Sequence, residues 1–166
     1  YLKEQNPNLK VVGVDAYGST LKKFHETKVI PKNEDLYGTK IEGVGKDMIP
    51  STIAFDLIDQ FVYVDERNSA LRTRELASLE GMILGYSCGA ALQGIVELKD
   101  ELTEEDVVVV IFHDHGSRYV NKMYDDQWME DEGFTDSVED AVTQQLKQHI
   151  YKVYSEAEEA ACEIPT

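Results

Sequence analysis

Cysteine is scarce in this sequence: only Cys88 and Cys162 are present, in no metal-ligand spacing. Two isolated thiols exclude a disulfide scaffold and make a reducing cytoplasm the expected location. Long apolar runs are missing as well. None approaches the roughly 20 residues that cross a bilayer, and no signal-peptide pattern is visible. Positive charge is short: 16 Lys and Arg stand against 32 Asp and Glu, a formal net charge of −16. A surface of that sign repels phosphate backbones and anionic lipid, so neither nucleic acid nor a membrane is an expected partner. There is no internal repeat and no low-complexity segment.

What is present suits a soluble domain. At 166 residues, with 42% apolar and 29% charged, the chain can bury a core of its own or form part of a larger one. Tyr1 to Gln5 reads as the last turns of a helix stopped at Asn6-Pro7-Asn8. Leu9 to Asp15 is β-rich, and Ala16 to Leu36 has no clean period and reads as irregular connection. A short helix is expected at Ile53 to Leu57, then a strand at Gln60 to Val64. A helix follows over Asn68 to Leu79, with Ala70, Leu71, Leu76 and Leu79 inward and Arg72 and Arg74 outward. Val107 to Phe112 is six apolar residues in a row, the pattern of a strand buried on both faces in the middle of a parallel sheet. After it a helix is expected to carry Tyr119, Val120, Met123, Tyr124, Trp128 and Met129. A long amphipathic helix is expected over Asp136 to Glu163. Strands alternating with helices predict an α/β fold: an open, mainly parallel sheet with helices on both faces, containing at least three parallel strands at Val11–Val14, Phe61–Val64 and Val107–Phe112. Ligands in such sheets bind beyond the carboxyl ends of strands, where the Ser87 turn and His113-Asp114-His115 are expected.

Ser78 to Ile95 organises the chain. A helical pattern runs into Glu80-Gly81, a short apolar run follows, and at Tyr86-Ser87-Cys88-Gly89 a second helix begins. Gly85 and Gly89 allow close approach of a ligand to the backbone. Ser87 stands where an N-cap belongs, near unpaired N–H groups and the positive end of the helix dipole. Taken alone, this segment is read first as a glycine turn capped by serine with no further role; the rest of the chain shifts that balance. Other chemistries fit poorly. His113-Asp114-His115 lacks a third ligand for a metal, and alternate strand residues point to opposite faces; Asp114 is expected to fix the following loop. Gly85-Tyr86-Ser87-Cys88-Gly89 has the spacing of a hydrolase Gly-x-Ser-x-Gly elbow. However, Asp106 begins the very strand that His113 ends, too far away to complete a triad. Cys88 has no evident partner as a nucleophile and reads as a small packed residue.

Taken together, Glu42-Gly43-Val44-Gly45-Lys46-Asp47-Met48-Ile49-Pro50, Glu80 to Gly89, and Val109 to Met129 with Arg118-Tyr119 and Asp126-Gln127-Trp128-Met129 keep an order and spacing that resemble one family. It is the cystathionine β-synthase/cysteine synthase family of fold-type II pyridoxal phosphate enzymes, over the C-terminal half of the catalytic core. The Asp-x-x-Trp-Met ending resembles the synthase branch. The resemblance implies pyridoxal 5'-phosphate as cofactor, bound by Ser87, Gly43 and Gly85, with the Ser87 hydroxyl on the pyridine nitrogen. Gly45 and Lys46 would line the substrate mouth, Lys46 replacing an aromatic residue that some synthases carry. A helix N-terminus disfavours protonation of that nitrogen, and a hydroxyl can donate to its neutral form. An unprotonated ring suits β-elimination and β-replacement.

The resemblance also implies what this stretch does not contain. None of the twelve lysines sits in the context of the family's Schiff-base lysine, and the glycine-rich phosphate loop has no match. No catalytic residue is therefore expected in this chain, and no metal. Residues 1–134 are expected to be the C-terminal half of a catalytic core and 135–166 an acidic helical extension. Serine or O-acetylserine with homocysteine or sulfide are the implied substrates, and a homo-oligomer or association with an N-terminal half the implied assembly. The competing reading is a non-catalytic, degenerate or separated domain that serves assembly.

Overall fold

Two short β-rich runs pair side by side in the computed structural model, which describes residues 1–135. Strand β1 (Val12–Ala16) lies parallel to β2 (Gln60–Val64), with Val12 opposite Gln60 and Ala16 opposite Val64. Because side chains alternate along a strand, this register sorts them onto two faces. One face carries Gly13, Asp15, Phe61 and Tyr63 and meets helix α2 (Leu21–Thr27), following α1 (Leu2–Gln5) in the chain. There the Phe61 ring lies over Gly13, a position where any Cβ would collide with it. His25 of α2 packs on that ring with centroids 5.2 Å apart. The buried Asp15 accepts from the N–H of Lys22, 2.9 Å away, and ties α2 to the strand.

Two further helices build the other face. Helix α3 (Glu66–Glu80) starts at Asp65, whose carboxylate accepts from the Asn68 N–H at 2.8 Å, and stops at Gly81, which has φ 66°. A left-handed residue costs glycine little, so Gly81 ends the helix there. Helix α4 (Tyr86–Glu97) lays Gly94 on Val14 and Val62 of the sheet. It crosses α3 at Gly89, where a side chain would overlap the Ser69 carbonyl and the Thr73 hydroxyl. The core gathers Ile41, Val64, Ala70, Tyr86, Ala90, Tyr119, Met123 and Met129, the last from the short helix α5 (Asp126–Asp131). Tyr1–Phe134 form one compact unit. The expected class holds: an α/β fold with a parallel sheet and helices on both faces.

Several expectations are corrected. Val107–Phe112 forms no strand; Val107, Val109 and Ile111 are 92%, 84% and 73% exposed. A strand apolar on both faces needs neighbours on both sides, and the described residues supply none. The sheet accordingly has two strands among the described residues, not three, and β1 begins at Val12. Ala16 to Leu36 is not merely irregular, since α2 lies within it. The Ile53–Leu57 helix is reduced to a 3₁₀ turn, Phe55–Leu57. The single helix expected from Tyr119 to Met129 is a 3₁₀ turn at Gly116–Tyr119 followed by α5. Arg72 points inward, not outward: it is buried, 2.7 Å from Glu75 and 3.1 Å from the Gln93 amide oxygen of α4. A buried charge persists where ion pair and hydrogen bonds replace water, which a hydrophobic stripe does not reveal. The Asp136–Glu163 helix lies outside the described residues.

Candidate functional site

The α4 N-terminus is held against the segment after Ile111. Gly85 N–H donates to the Asp114 carbonyl at 3.0 Å, and Gly116 N–H to the Ile83 carbonyl at 2.9 Å, while Leu84 and His115 form an antiparallel bridge. Tyr124 locks this pairing: its hydroxyl accepts from Leu84 N–H at 2.9 Å and donates to Leu84 C=O at 2.7 Å. A Cβ on Gly85 would overlap the Asp114 carboxylate, so glycine is what allows the two segments to meet. Gly85, not Ser87, is the N-cap of α4. Ser87 is the second helical residue and makes no capping bond. Its position in the first turn still lies near the positive end of the helix dipole.

Ser87 is buried, and its Oγ lies 2.7 Å from His113 Nε2. Asp114 beside it takes the Tyr119 hydroxyl at 2.8 Å on Oδ2, fixing the loop as expected, and the Cys88 thiol at 3.4 Å on Oδ1. Burial pushes the Tyr119 hydroxyl up to about 12, with the bond to Asp114 adding to it. Burial likewise raises the Cys88 thiol. Both groups therefore stay protonated near neutral pH and act as donors to Asp114. Cys88, His113 and Asp114 offer ligand atoms within 4.8 Å of one another. Each of the three is also engaged in hydrogen bonds, Cys88 Sγ with Asp114 and the His113 ring with Ser87 and Ile111.

A second group of residues gathers around an open cleft of about 660 Å³. Gly43, Gly45 and Lys46 line it together with Tyr17, Ser19 and Tyr37. Gly43 and Gly45 adopt φ 86° and 79°, and this curls the loop over the end of β1. The Ser19 hydroxyl accepts from Lys46 N–H at 2.9 Å, and Thr20 N–H donates to the Lys46 carbonyl at 2.8 Å. The backbone at Lys46 is thus pinned while its side chain is exposed. The loop places Gly43 beside Gly45 and Lys46 on this cleft, whereas Ser87 and Gly85, with which the resemblance groups Gly43, do not line it. The core links the two groups, since Ile41 before the loop and Tyr86 beside Ser87 belong to the same buried cluster. Sequence reasoning missed His113 as the partner of Ser87. The signal available was the placement of both on one sheet rim, and it did not tell a neighbour from a contact.

The polar group that this turn offers a ligand is the Ser87 hydroxyl, which His113 Nε2 holds at 2.7 Å. A buried hydroxyl in the first turn of a helix matches an aromatic ring nitrogen, which needs a single hydrogen-bond partner.

Comparison with known proteins gives the family. The model of the family "Pyridoxal-phosphate dependent enzyme" matches residues 1–114. Cystathionine beta-synthase of Saccharomyces cerevisiae (strain ATCC 204508 / S288c) is 38% identical over 135 residues, which is 78% of this chain and 25% of that protein. The protein of the same name from Dictyostelium discoideum is 34% identical over 139 residues, 81% of this chain and 26% of that one. The crystal structure of O-acetylserine dependent cystathionine beta-synthase from Helicobacter pylori aligns with a TM-score of 0.62 at 31% identity, covering 74% of this chain and 37% of that chain. The chain spans about a quarter of the length of these curated relatives.

Proposed function

Because the chain belongs to the family of pyridoxal-phosphate dependent enzymes, we propose that it supplies the ring-nitrogen side of the cofactor site in a β-replacement or β-elimination enzyme of sulfur amino-acid metabolism. The observation that carries this reading is the Ser87 hydroxyl, buried in the first turn of α4. When bound, the cofactor supplies an electron sink for the substrate's α-carbon. Ser87 offers one hydroxyl to the ring nitrogen, and the α4 N-terminus disfavours a proton there. Gly85 holds that turn against Asp114. Gly43 lines the cofactor side of the cleft, and Gly45 and Lys46 form the mouth that admits serine or O-acetylserine, then homocysteine or sulfide. The exposed ammonium of Lys46 suits the carboxylate of such a substrate.

No lysine of this chain is assigned the imine-forming role, so the chain by itself should not turn over. Mixing the 166-residue chain with pyridoxal phosphate, O-acetylserine and homocysteine should yield no cystathionine, whereas the intact gene product should yield it and lose most of its rate on Ser87→Ala. Turnover by the chain alone would overturn the assignment of roles, and an unaffected Ser87→Ala enzyme would remove Ser87 from the site. A non-catalytic assembly role is the second reading, supported by the exposed apolar run at Val107–Ile111; it requires that the intact gene product be inactive too.

A further inference from the structure

The Ser87 hydroxyl has one proton to give, and two groups want it. His113 is bonded through both ring nitrogens: Nδ1 lies 3.1 Å from the Ile111 carbonyl oxygen and Nε2 lies 2.7 Å from Ser87 Oγ. A carbonyl oxygen only accepts, so Nδ1 carries the hydrogen. In the neutral ring Nε2 is then a lone pair, and the Ser87 hydroxyl donates to it. The proton points at His113, and only lone pairs of Oγ are left for a ligand. A neutral ring nitrogen, itself an acceptor, cannot bond to a serine held this way.

We propose that His113 is a positioning residue that decides which way the Ser87 hydroxyl points; this rests on reading Ser87 as the ring-nitrogen contact. When an acceptor nitrogen arrives, the imidazole changes tautomer. It loses the Nδ1 hydrogen, gains one on Nε2, and donates to Ser87 Oγ, and the hydroxyl proton turns to the ligand. No net proton is taken up: one leaves Nδ1 and one joins Nε2 by exchange with water, which reaches this exposed side chain. The cost is the bond to the Ile111 carbonyl, and Ile111 is itself exposed, so water replaces the imidazole there. In return, a donor behind Oγ polarises the hydroxyl and strengthens its bond to the ring. The exchange takes place without any movement of α4. A side chain that can present either a donor or an acceptor at the Nε2 position meets the requirement, so glutamine should stand in for His113 and leucine should not.

Nitrogen NMR of labelled histidine reads the tautomer directly, without reference to turnover. It is to be recorded on the full chain, and on the intact gene product with and without deoxypyridoxine phosphate, which has the ring nitrogen and phosphate but no aldehyde. The Nδ1–H tautomer is expected without the probe and the Nε2–H tautomer with it. His113→Leu takes away the acceptor that holds the Ser87 proton in the free protein, so it should tighten probe binding roughly three- to tenfold, the worth of about one neutral hydrogen bond, and His113→Gln should return it to the wild-type value. An Nε2–H or doubly protonated imidazole in the free protein overturns the inference. So does an unchanged Nδ1–H tautomer while the probe is bound and Ser87→Ala still weakens it; in that case the reading of Ser87 survives. A probe whose binding ignores Ser87→Ala sinks both the reading and the inference.

Discussion

Ser87, His113, Asp114 and Cys88 show how much of a site is decided by hydrogens that no sequence pattern displays. The chemistry-bearing residue types were legible: a serine between glycines, a histidine-rich rim, a lone cysteine. Their pairing was not, because Ser87 and His113 lie 26 positions apart and meet only when Gly85 lets two backbones close. Cys88 yields one prediction at this scale. Burial raises its thiol, so in a Cys162→Ser background it should alkylate far more slowly with iodoacetamide than a free thiol at neutral pH. The rate should climb only above the ordinary thiol range, and a rate equal to that of free cysteine would contradict the geometry. Asp15 provides another. Burial lifts its carboxyl above the ordinary 3.8 despite bonds from Ser19, Lys22 and Ala16. The folded state then holds more protons than the unfolded chain between that raised value and about 3.8. Falling pH across this window therefore adds stability, and rising pH through the folded value removes it. Relative to Asp15→Asn, the wild type should gain stability as pH falls through the window, as measured by denaturant midpoints; parallel curves would contradict the burial.

At the scale of elements, helices with a strong local code were read correctly and those made by context were not. α3 has an N-cap carboxylate at Asp65 and a glycine stop at Gly81, and both signals are local. The α2 segment has little apolar periodicity; its place is set by Asp15 on its first turn and by the Phe61 and Phe55 rings beneath His25. Val107–Phe112 failed in the opposite sense, since its composition asks for two flanking strands. The crossing of α3 and α4 is testable at Gly89. An alanine there would gain about 1 kcal/mol of helix propensity but overlap the Ser69 carbonyl and Thr73 hydroxyl, at the upper end of overpacking costs, about 3 kcal/mol. Chemical denaturation should show a net loss of about 2 kcal/mol, and an unchanged midpoint would mean that the helices are not in contact at that point.

For the whole molecule, the apolar run that the fold leaves uncovered is the feature with consequences. Val107, Val109 and Ile111 lie on alternate positions of one segment without regular secondary structure and are each more than two-thirds exposed. A patch of this kind drives association. Sedimentation of the 166-residue chain should therefore show concentration-dependent oligomers that the combined Val107→Lys, Val109→Lys and Ile111→Lys variant lacks; identical profiles would show that the segment covers nothing. The account as a whole stands on Ser87 facing a neutral ring nitrogen near the positive end of α4. The most direct test is nitrogen NMR of ring-labelled pyridoxal phosphate bound to the intact gene product, comparing wild type with Ser87→Asp. The ring nitrogen should be unprotonated in the wild type and protonated in Ser87→Asp, where a carboxylate replaces the hydroxyl. The same nitrogen signal in both proteins would contradict the central claim, since the ring would then lie elsewhere.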